Sequence, residues 1–433
     1  MGQIEIAGVL IAILFLSLAL GLWVSLSLLL VAVSGYWLIG NDNWGQITAT
    51  IAWGSVANWT LAPLPMFIWM GEILFRSELS KHLFDGLSIW LHRVPGRLFH
   101  VNILSCGIFA AVSGSSAATV ATVGNITLPQ LKRLGYKESF SIATLGGSGT
   151  LGLLIPPSIM MIIYGVAAEV SVARLFMAGV FPGLLLIGLF MGFTMVYCTI
   201  FKGAAPDDNQ VKANKWQATV KLLPIFVLIA AVLGSIYVGF ATPIEASALG
   251  VLGSLIITKL EGSLTWKTFT DGLMAAVKTT SMLMFIIVAA SVLTNAMGFI
   301  GLPRALADYV AELNLSPAML IVALSIAFII LGCFLDGISV ILLTTATIIP
   351  LVESAGIDLI WFGIYLVLTV EMSQITPPVG FNLFVLQALT GKDILNIAKY
   401  TLPFFCLMAV AILLLFWFPQ IATWLPMTMT ERS

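Results

Sequence analysis

Long apolar runs that contain no charged residue constrain this chain more than any other feature of its sequence. Three of them are Ile6–Leu20, Leu222–Tyr237 and Leu402–Trp417, and each approaches the roughly 20 residues with which an α-helix crosses a bilayer. In hydrocarbon only helices and closed barrels satisfy the backbone, and these runs lack the alternation of barrel strands. The chain is 9% charged, whereas a soluble domain carries about 25% charged residues. The sequence therefore predicts an all-α polytopic membrane protein.

Several functional classes are disfavoured by what the sequence lacks. The formal net charge is −1, which leaves no basic excess for a nucleic-acid partner. Neither H-E-x-x-H nor G-x-S-x-G occurs, so we do not expect an enzyme. The four cysteines form no C-x-x-C pair, and we predict no cofactor.

The two halves of the chain correspond at an offset of 221 residues, without a gap. The matched positions are Pro129 and Pro350, Gly135 and Gly356, Pro156-Pro157 and Pro377-Pro378, and Pro182 and Pro403. Paired breakers in two halves of a membrane protein are typical of secondary transporters. We therefore predict two structural repeats, residues 1–221 and 222–433.

Charge indicates how these repeats are oriented. The loop after Pro129 carries Lys132, Arg133 and Lys137, whereas the loop after Pro350 carries only acidic residues. Positively charged loops lie on the cytoplasmic side, so the two equivalent loops are expected on opposite sides of the membrane. This predicts inverted-topology repeats, with both termini on the periplasmic side.

Each repeat is predicted to contain the same elements besides its scaffold helices. In the first repeat we expect an interfacial arm over 77–98, a re-entrant helical hairpin over 98–128 and a discontinuous helix over 139–165. In the second repeat the arm is expected over 301–316, the hairpin over 318–349 and the discontinuous helix over 359–385. The hairpin tips are expected at the polar segments Ser113–Ser116 and Gly332–Ser339.

The two discontinuous helices are predicted because glycine and proline interrupt apolar segments of spanning length. The interruptions are Gly146–Ser158 and Glu371–Asn382. Unwound backbone at this depth is tolerated where it lines a cavity, and its freed carbonyls, with nearby hydroxyls, suit a small cation. Two carboxylates, Asp336 and Glu371, are expected within the membrane, where ionisable groups are candidates for function. A local helix-capping role for both remains an alternative.

Three stretches closely resemble the large membrane subunit of tripartite ATP-independent periplasmic (TRAP) transporters, the DctM-like family. They are Ser113–Thr122, Gly149–Ile159 and Ile375–Phe384, and the general layout matches over nearly the whole chain. The resemblance implies an elevator-type ion-transporter fold in the bacterial inner membrane. It also implies a small four-helix membrane subunit and a periplasmic substrate-binding protein as partners. The implied function is sodium-driven import of an organic acid, such as a C4-dicarboxylate, a 2-keto acid or a sialic-acid-like carboxylate.

The resemblance also implies where sodium, the coupling ion, would bind. A first site would use Ser113, Ser115, Ser116, Gly149, Gly152, Ile155 and Pro157. A second site would use Gly332, Asp336, Gly337, Ser373, Thr376 and Pro378. The substrate is expected near Ser116, Thr150 and Asn382.

Three other functions are compatible with parts of this pattern. A stand-alone sodium–dicarboxylate symporter would share the paired broken helices but need no partner protein. A passive channel subunit and an intramembrane enzyme are the remaining alternatives, and the missing catalytic motifs disfavour the enzyme.

Overall fold

The computed structural model describes residues 3–201, 203–206, 215–305, 308 and 316–429. These residues form α-helices and one short 3-10 helix, and no strand occurs among them. Five helices are long and apolar enough to cross a membrane, and up to seven spans result if each bent helix pair is counted as one. This agrees with the prediction of an all-α membrane protein.

The first half of the chain contains eleven of the helices in the described ranges. They are α1 (Gln3–Ala19), α2 (Val24–Leu38), α3 (Trp44–Val56), α4 (Pro63–Phe75), α5 (Leu79–Leu91), α6 (Leu98–Ser113), α7 (Ser116–Arg133), α8 (Glu138–Gly149), α9 (Leu151–Leu154), α10 (Ile159–Ala167) and α11 (Val172–Ile200). A 3-10 helix, Trp59–Leu61, precedes α4.

The second half continues with nine further helices in the described ranges. They are α12 (Lys215–Tyr237), α13 (Pro243–Leu260), α14 (Trp266–Ile300), α15 (Pro317–Gly332), α16 (Gly337–Ser354), α17 (Leu359–Ser373), α18 (Phe381–Thr390), α19 (Ile394–Trp417) and α20 (Gln420–Met427). The numerical division at 221/222 falls inside α12.

Several helix ends coincide at the offset of 221 residues. Helix α7 begins and ends at 116 and 133, and α16 begins and ends at 337 and 354. Helix α8 begins at 138, and α17 begins at 359. Each of α7 and α16 contains one proline of the matched pair, Pro129 or Pro350.

The helices pack in two groups. Helices α1 to α4 and α12 to α14 contact one another, and the long helix α14 packs against α2, α3 and α4. Helices α6 to α11 and α15 to α20 form the second group, which contains both pairs of predicted hairpin helices and both broken helices. The groups meet where α4 contacts α6 and where α14 contacts α16.

A two-residue break separates α6 from α7. Gly114, with φ of 58°, ends α6 in the left-handed region, which glycine adopts without a steric penalty. The side chain of Ser115 then accepts a hydrogen bond from the backbone N–H of Ala118 and caps α7. The corresponding break between α15 and α16 is capped by Asp336.

The other two interruptions lie in segments with a proline pair. Helices α8–α9 and α10 are bent by 42° across residues 155–158, and Ser158 caps α10 by accepting from the N–H of Met161. Helix α17 ends at Ser373 and α18 begins at Phe381. In both interruptions the Pro-Pro bond is cis, at Pro156-Pro157 and at Pro377-Pro378.

The amphipathic helix α5 occupies the position of the first predicted arm. Its apolar side chains are buried, and it packs against α12 and α6. Ion pairs join it to its surroundings, from Asp85 to Lys221 at 3.7 Å and from His82 to Glu261 at 3.4 Å. The second predicted arm, 301–316, lies largely outside the described residues.

Candidate functional site

The break between α6 and α7 packs directly on the interruption between α9 and α10. A Cβ atom placed on Gly152 would lie 2.6 Å from the backbone Cα of Ser116 and 2.7 Å from the carbonyl carbon of Ser115. A Cβ on Gly114 would lie 3.3 Å from the carbonyl oxygen of Pro157. Because these contacts join backbone to backbone, glycine is what allows the two breaks to meet.

Hydroxyl groups are concentrated at this first junction. Ser113 Oγ lies 2.8 Å from Thr119 Oγ1 and donates to the carbonyl oxygen of Ser115 at 3.3 Å. Thr119 also donates to that carbonyl oxygen, at 2.8 Å. The junction therefore offers neutral oxygen atoms in which side-chain hydroxyls and backbone carbonyls alternate.

The second junction repeats this packing with the small residue on the other side. Ser373, which stands 221 residues after Gly152, lies at the position that a Cβ of Gly332 would occupy. Its hydroxyl donates to the carbonyl oxygen of Val370 at 2.5 Å. A Cβ on Gly337 would collide with Met160 of α10 and would lie 2.8 Å from Val370. The α15–α16 break thus contacts both broken helices.

Asp336 brings a carboxylate to this second break. It accepts hydrogen bonds from the backbone N–H groups of Ile338 at 3.1 Å and Ser339 at 3.2 Å, and from the Ser339 hydroxyl. The described residues include no basic side chain paired with it. Its charge is therefore held by helix-cap hydrogen bonds rather than by a salt bridge.

A cavity of about 1020 Å³ lies between the two breaks. Its wall on the second helix group includes Ser113, Gly114, Ser115, Ser116, Leu153, Met160, Asp336, Gly337, Gln374 and Phe381. The opposite wall belongs to α2, α4 and α14 and is mainly apolar. The amino termini of α7 and α16 thus reach the same cavity.

The sequence profile described as "Tripartite ATP-independent periplasmic transporter, DctM component" matches residues 11–421 of this chain. The chain belongs to this DctM family. It is therefore a membrane transport protein rather than an enzyme. The earlier resemblance to the TRAP large subunit is confirmed.

Two relatives illustrate the range of this DctM family. The C4-dicarboxylate TRAP transporter large permease protein DctM of Pseudomonas aeruginosa is 35% identical over 371 residues, which cover 85% of this chain and 86% of that protein. The ectoine TRAP transporter large permease protein TeaC of Halomonas elongata is 32% identical over 370 residues, which cover 84% and 86%.

A more distant solved structure shares the fold of this DctM protein. MtrF of Neisseria gonorrhoeae, described as one of a class of antimetabolite efflux pumps, superposes with a TM-score of 0.55 at 12% identity, covering 89% of this chain and 84% of that one. At this identity the likeness concerns the fold alone.

The remaining site residues expected in this DctM protein are not all at the cavity. Thr150 and Asn382 are fully buried and do not line it, although Ser116 does. Thr150 donates its hydroxyl to the carbonyl oxygen of Gly147 at 2.6 Å. Both polar atoms of the Asn382 side chain lack a hydrogen-bond partner.

Four further positions complete the two predicted sodium sites. Gly149 is buried against Val120 of α7, and the Ile155 side chain packs near Gly183 of α11. In the second interruption Thr376 is half-buried and donates to the carbonyl oxygen of Met372 at 2.8 Å. Pro378 is exposed. The first junction therefore brings its predicted residues together more closely than the second.

Sequence reasoning missed the opposite wall of the cavity. Its residues include Trp23, Ile68, Glu72, Phe75, Met282 and Phe285. Most belong to uniformly apolar helices whose periodicity does not indicate an inner face. Glu72 was the available signal, because a carboxylate within an apolar helix marks a candidate position; here it pairs with Arg76 at 3.1 Å.

Proposed function

We propose that this DctM protein is the transport subunit of a TRAP system that imports an organic acid, driven by sodium ions. The observation that carries the proposal is the paired junctions, each made by a polar helix break that packs on an interrupted helix. The two junctions border one cavity. Such paired sites beside discontinuous helices are typical of secondary transporters.

The chemistry of the junctions supports sodium as the coupling ion. Sodium is a hard cation that prefers oxygen ligands, as calcium and magnesium do. The first junction offers the hydroxyls of Ser113 and Thr119 together with backbone carbonyls. The second adds the carboxylate of Asp336. A neutral first site binds its ion weakly, and weak binding allows the ion to leave again.

Two helix amino termini support an anionic substrate. Helices α7 and α16 begin at the cavity, and the amino end of a helix carries a partial positive charge with unpaired N–H groups. A carboxylate bound between the two breaks would face both ends. The C4-dicarboxylate and ectoine permeases named above make a small carboxylate the substrate class to test first.

The division into two helix groups supports an elevator movement. The group with both junctions would move as one body against α1 to α4 and α12 to α14. One close contact across the groups is made by Gly71 of α4, where an added Cβ would lie 2.9 Å from the carbonyl oxygen of Val112. A smooth glycine surface permits such sliding.

Inverted topology of the two repeats is part of this proposal. Single cysteines at Leu134 and Ala355 stand after α7 and α16, at the ends of the two loops that differ in charge. In a background without native cysteines we expect a membrane-impermeant maleimide to label them from opposite sides of the membrane. Labelling of both from one side would contradict inverted repeats.

The proposed location is the bacterial inner membrane, with both termini in the periplasm. The proposed partners are the small four-helix TRAP subunit and a periplasmic substrate-binding protein. A stand-alone sodium–dicarboxylate symporter would need neither.

Uptake into proteoliposomes distinguishes the two functions. The protein, with the small subunit, is reconstituted and supplied with labelled organic acids, with and without an inward sodium gradient and the binding protein. We expect uptake only when the gradient and the binding protein are both present. Uptake without the binding protein would favour the stand-alone symporter, and uptake without a gradient would exclude sodium-driven transport.

A further inference from the structure

Glu371 is a carboxyl group for which the proposed sodium sites have no use. It lies in α17 two residues before Ser373 and is 0% exposed. Neither of its carboxylate oxygens has a hydrogen-bond partner. Buried polar groups are nearly always paired, so an unpaired one calls for a ligand or a function.

The surroundings of Glu371 offer no charge to balance a carboxylate. The helices packed against α17 include α9, α15 and α20, which contain no titratable side chain. Helix α10 contributes Tyr164, which bonds the carbonyl oxygen of Leu359. Leu359 is 12 residues from Glu371, about 18 Å along the helix axis.

The other packed helices place their titratable groups in other settings. Helix α11 carries Arg174 close to its first residue, and α19 carries Lys399 in its second turn. Helix α16 carries Glu353 at its far end, and the α15–α16 break contributes Cys333 and Asp336. No salt bridge or hydrogen bond joins any of them to Glu371 within the described residues. An isolated ionised carboxylate in such a place is prohibitively costly, whereas the neutral acid costs only a few kcal/mol.

Glu371 nevertheless lies close to water. Its carboxyl group is beside the backbone of Leu153, and Leu153 lines the cavity. Gln374, one helical turn after Glu371, also lines the cavity and donates its N–H to the Glu371 carbonyl oxygen at 3.1 Å. A single layer of residues therefore separates the carboxyl group from the cavity.

We propose that Glu371 is a proton-binding site that takes up and releases one proton during each transport cycle. The carboxylate gains a proton from a hydronium ion in the cavity, leaving water, and returns the proton to water in the reverse step. In the arrangement described here the site is closed and the acid is neutral. Opening of the layer formed by Leu153 and Gln374 admits water. The exchange step rests on the proposed function, but the presence of the bound proton does not.

Infrared spectroscopy of the purified protein tests for the bound proton without transport. At neutral pH we expect the carbonyl band of a buried, protonated carboxyl group in the wild type. The band should be missing in Glu371→Gln, shifted in Glu371→Asp and unchanged in Glu353→Gln, which alters an exposed glutamate. A wild type without this band would overturn the proposal.

Uptake in proteoliposomes then tests for exchange. At a fixed sodium gradient, wild-type uptake should vary several-fold across the physiological pH range, and Glu371→Gln should remove that variation. Matching pH profiles in the two proteins would show that the proton never leaves and would overturn the exchange. A raised half-saturating sodium concentration in Glu371→Gln, with no infrared band in the wild type, would instead make Glu371 a sodium ligand. Absence of sodium-driven uptake by the wild type would contradict the proposed function and leave the infrared result standing.

Discussion

Replacement of Gly152 by alanine is expected to lower sodium-driven uptake at least about 100-fold. The new methyl group would lie 2.6 Å from the Cα and the backbone nitrogen of Ser116, and backbone atoms cannot turn aside as a flexible side chain can. Overpacking of a filled interior costs about 1–3 kcal/mol, and each 1.4 kcal/mol changes an equilibrium about tenfold. The α6–α7 break would therefore move away from the broken helix and separate the oxygen atoms of the first junction.

Gly188→Ala provides a matched control for this substitution. Gly188 also lies within a helix of the same group, α11, and no atom lies within 4 Å of the position that its Cβ would take. It should transport like the wild type. If purified Gly152→Ala is monodisperse and retains normal uptake and sodium dependence, close packing of the two breaks is not needed for transport.

Replacement of Asp336 by asparagine is expected to lower uptake at low sodium concentration at least about tenfold. Asparagine caps helices about as well as aspartate, so the hydrogen bonds to the backbone of Ile338 and Ser339 can persist. The substitution removes the negative charge from the cavity wall. Hydrogen bonds and contacts with charged groups contribute about 1.5–3 kcal/mol, which corresponds to roughly tenfold or more in affinity.

Asp393→Asn separates the loss of charge at the cavity from the change of a capping residue. Asp393 caps α19 through the N–H of Leu395 at 3.1 Å, is exposed and does not line the cavity. We expect it to behave like the wild type. Normal uptake and an unchanged half-saturating sodium concentration in Asp336→Asn would show that the charge serves only the helix cap.

The breaks in the helices could be predicted because their residues have strong local effects. Gly114 must adopt a positive φ, and the proline pairs remove backbone donors. Once the repeat is recognised at offset 221, each break in one half points to a break in the other. The sequence also placed Asp336 at a helix break, where it serves as a cap.

Other features depend on how distant helices pack and could not be predicted. The burial of Thr150 and Asn382 away from the cavity follows from the rotation of their helices. Uniformly apolar helices such as α2 and α14 do not reveal which side faces inward, so Trp23 and Phe285 gave no signal. The sequence likewise placed Glu371 within the membrane but could not show that it lies behind the cavity wall.

The sodium dependence of uptake tests the central claim, that the two junctions hold the coupling ions. Initial uptake rates are measured against sodium concentration for the wild type and for Ser115→Ala/Ser373→Ala. The control is Ser55→Ala/Ser254→Ala, whose hydroxyls bond only to carbonyls of their own helices, α3 and α13.

We predict a sodium dependence with a Hill coefficient above one for the wild type and for the control, because two sites act together. Each lost hydroxyl contact should cost about 0.5–1.5 kcal/mol. The Ser115→Ala/Ser373→Ala protein should therefore need several-fold more sodium for half-maximal uptake, at a normal protein level. A wild type whose uptake does not depend on sodium, or a Ser115→Ala/Ser373→Ala protein with the sodium dependence of the wild type, would contradict the claim.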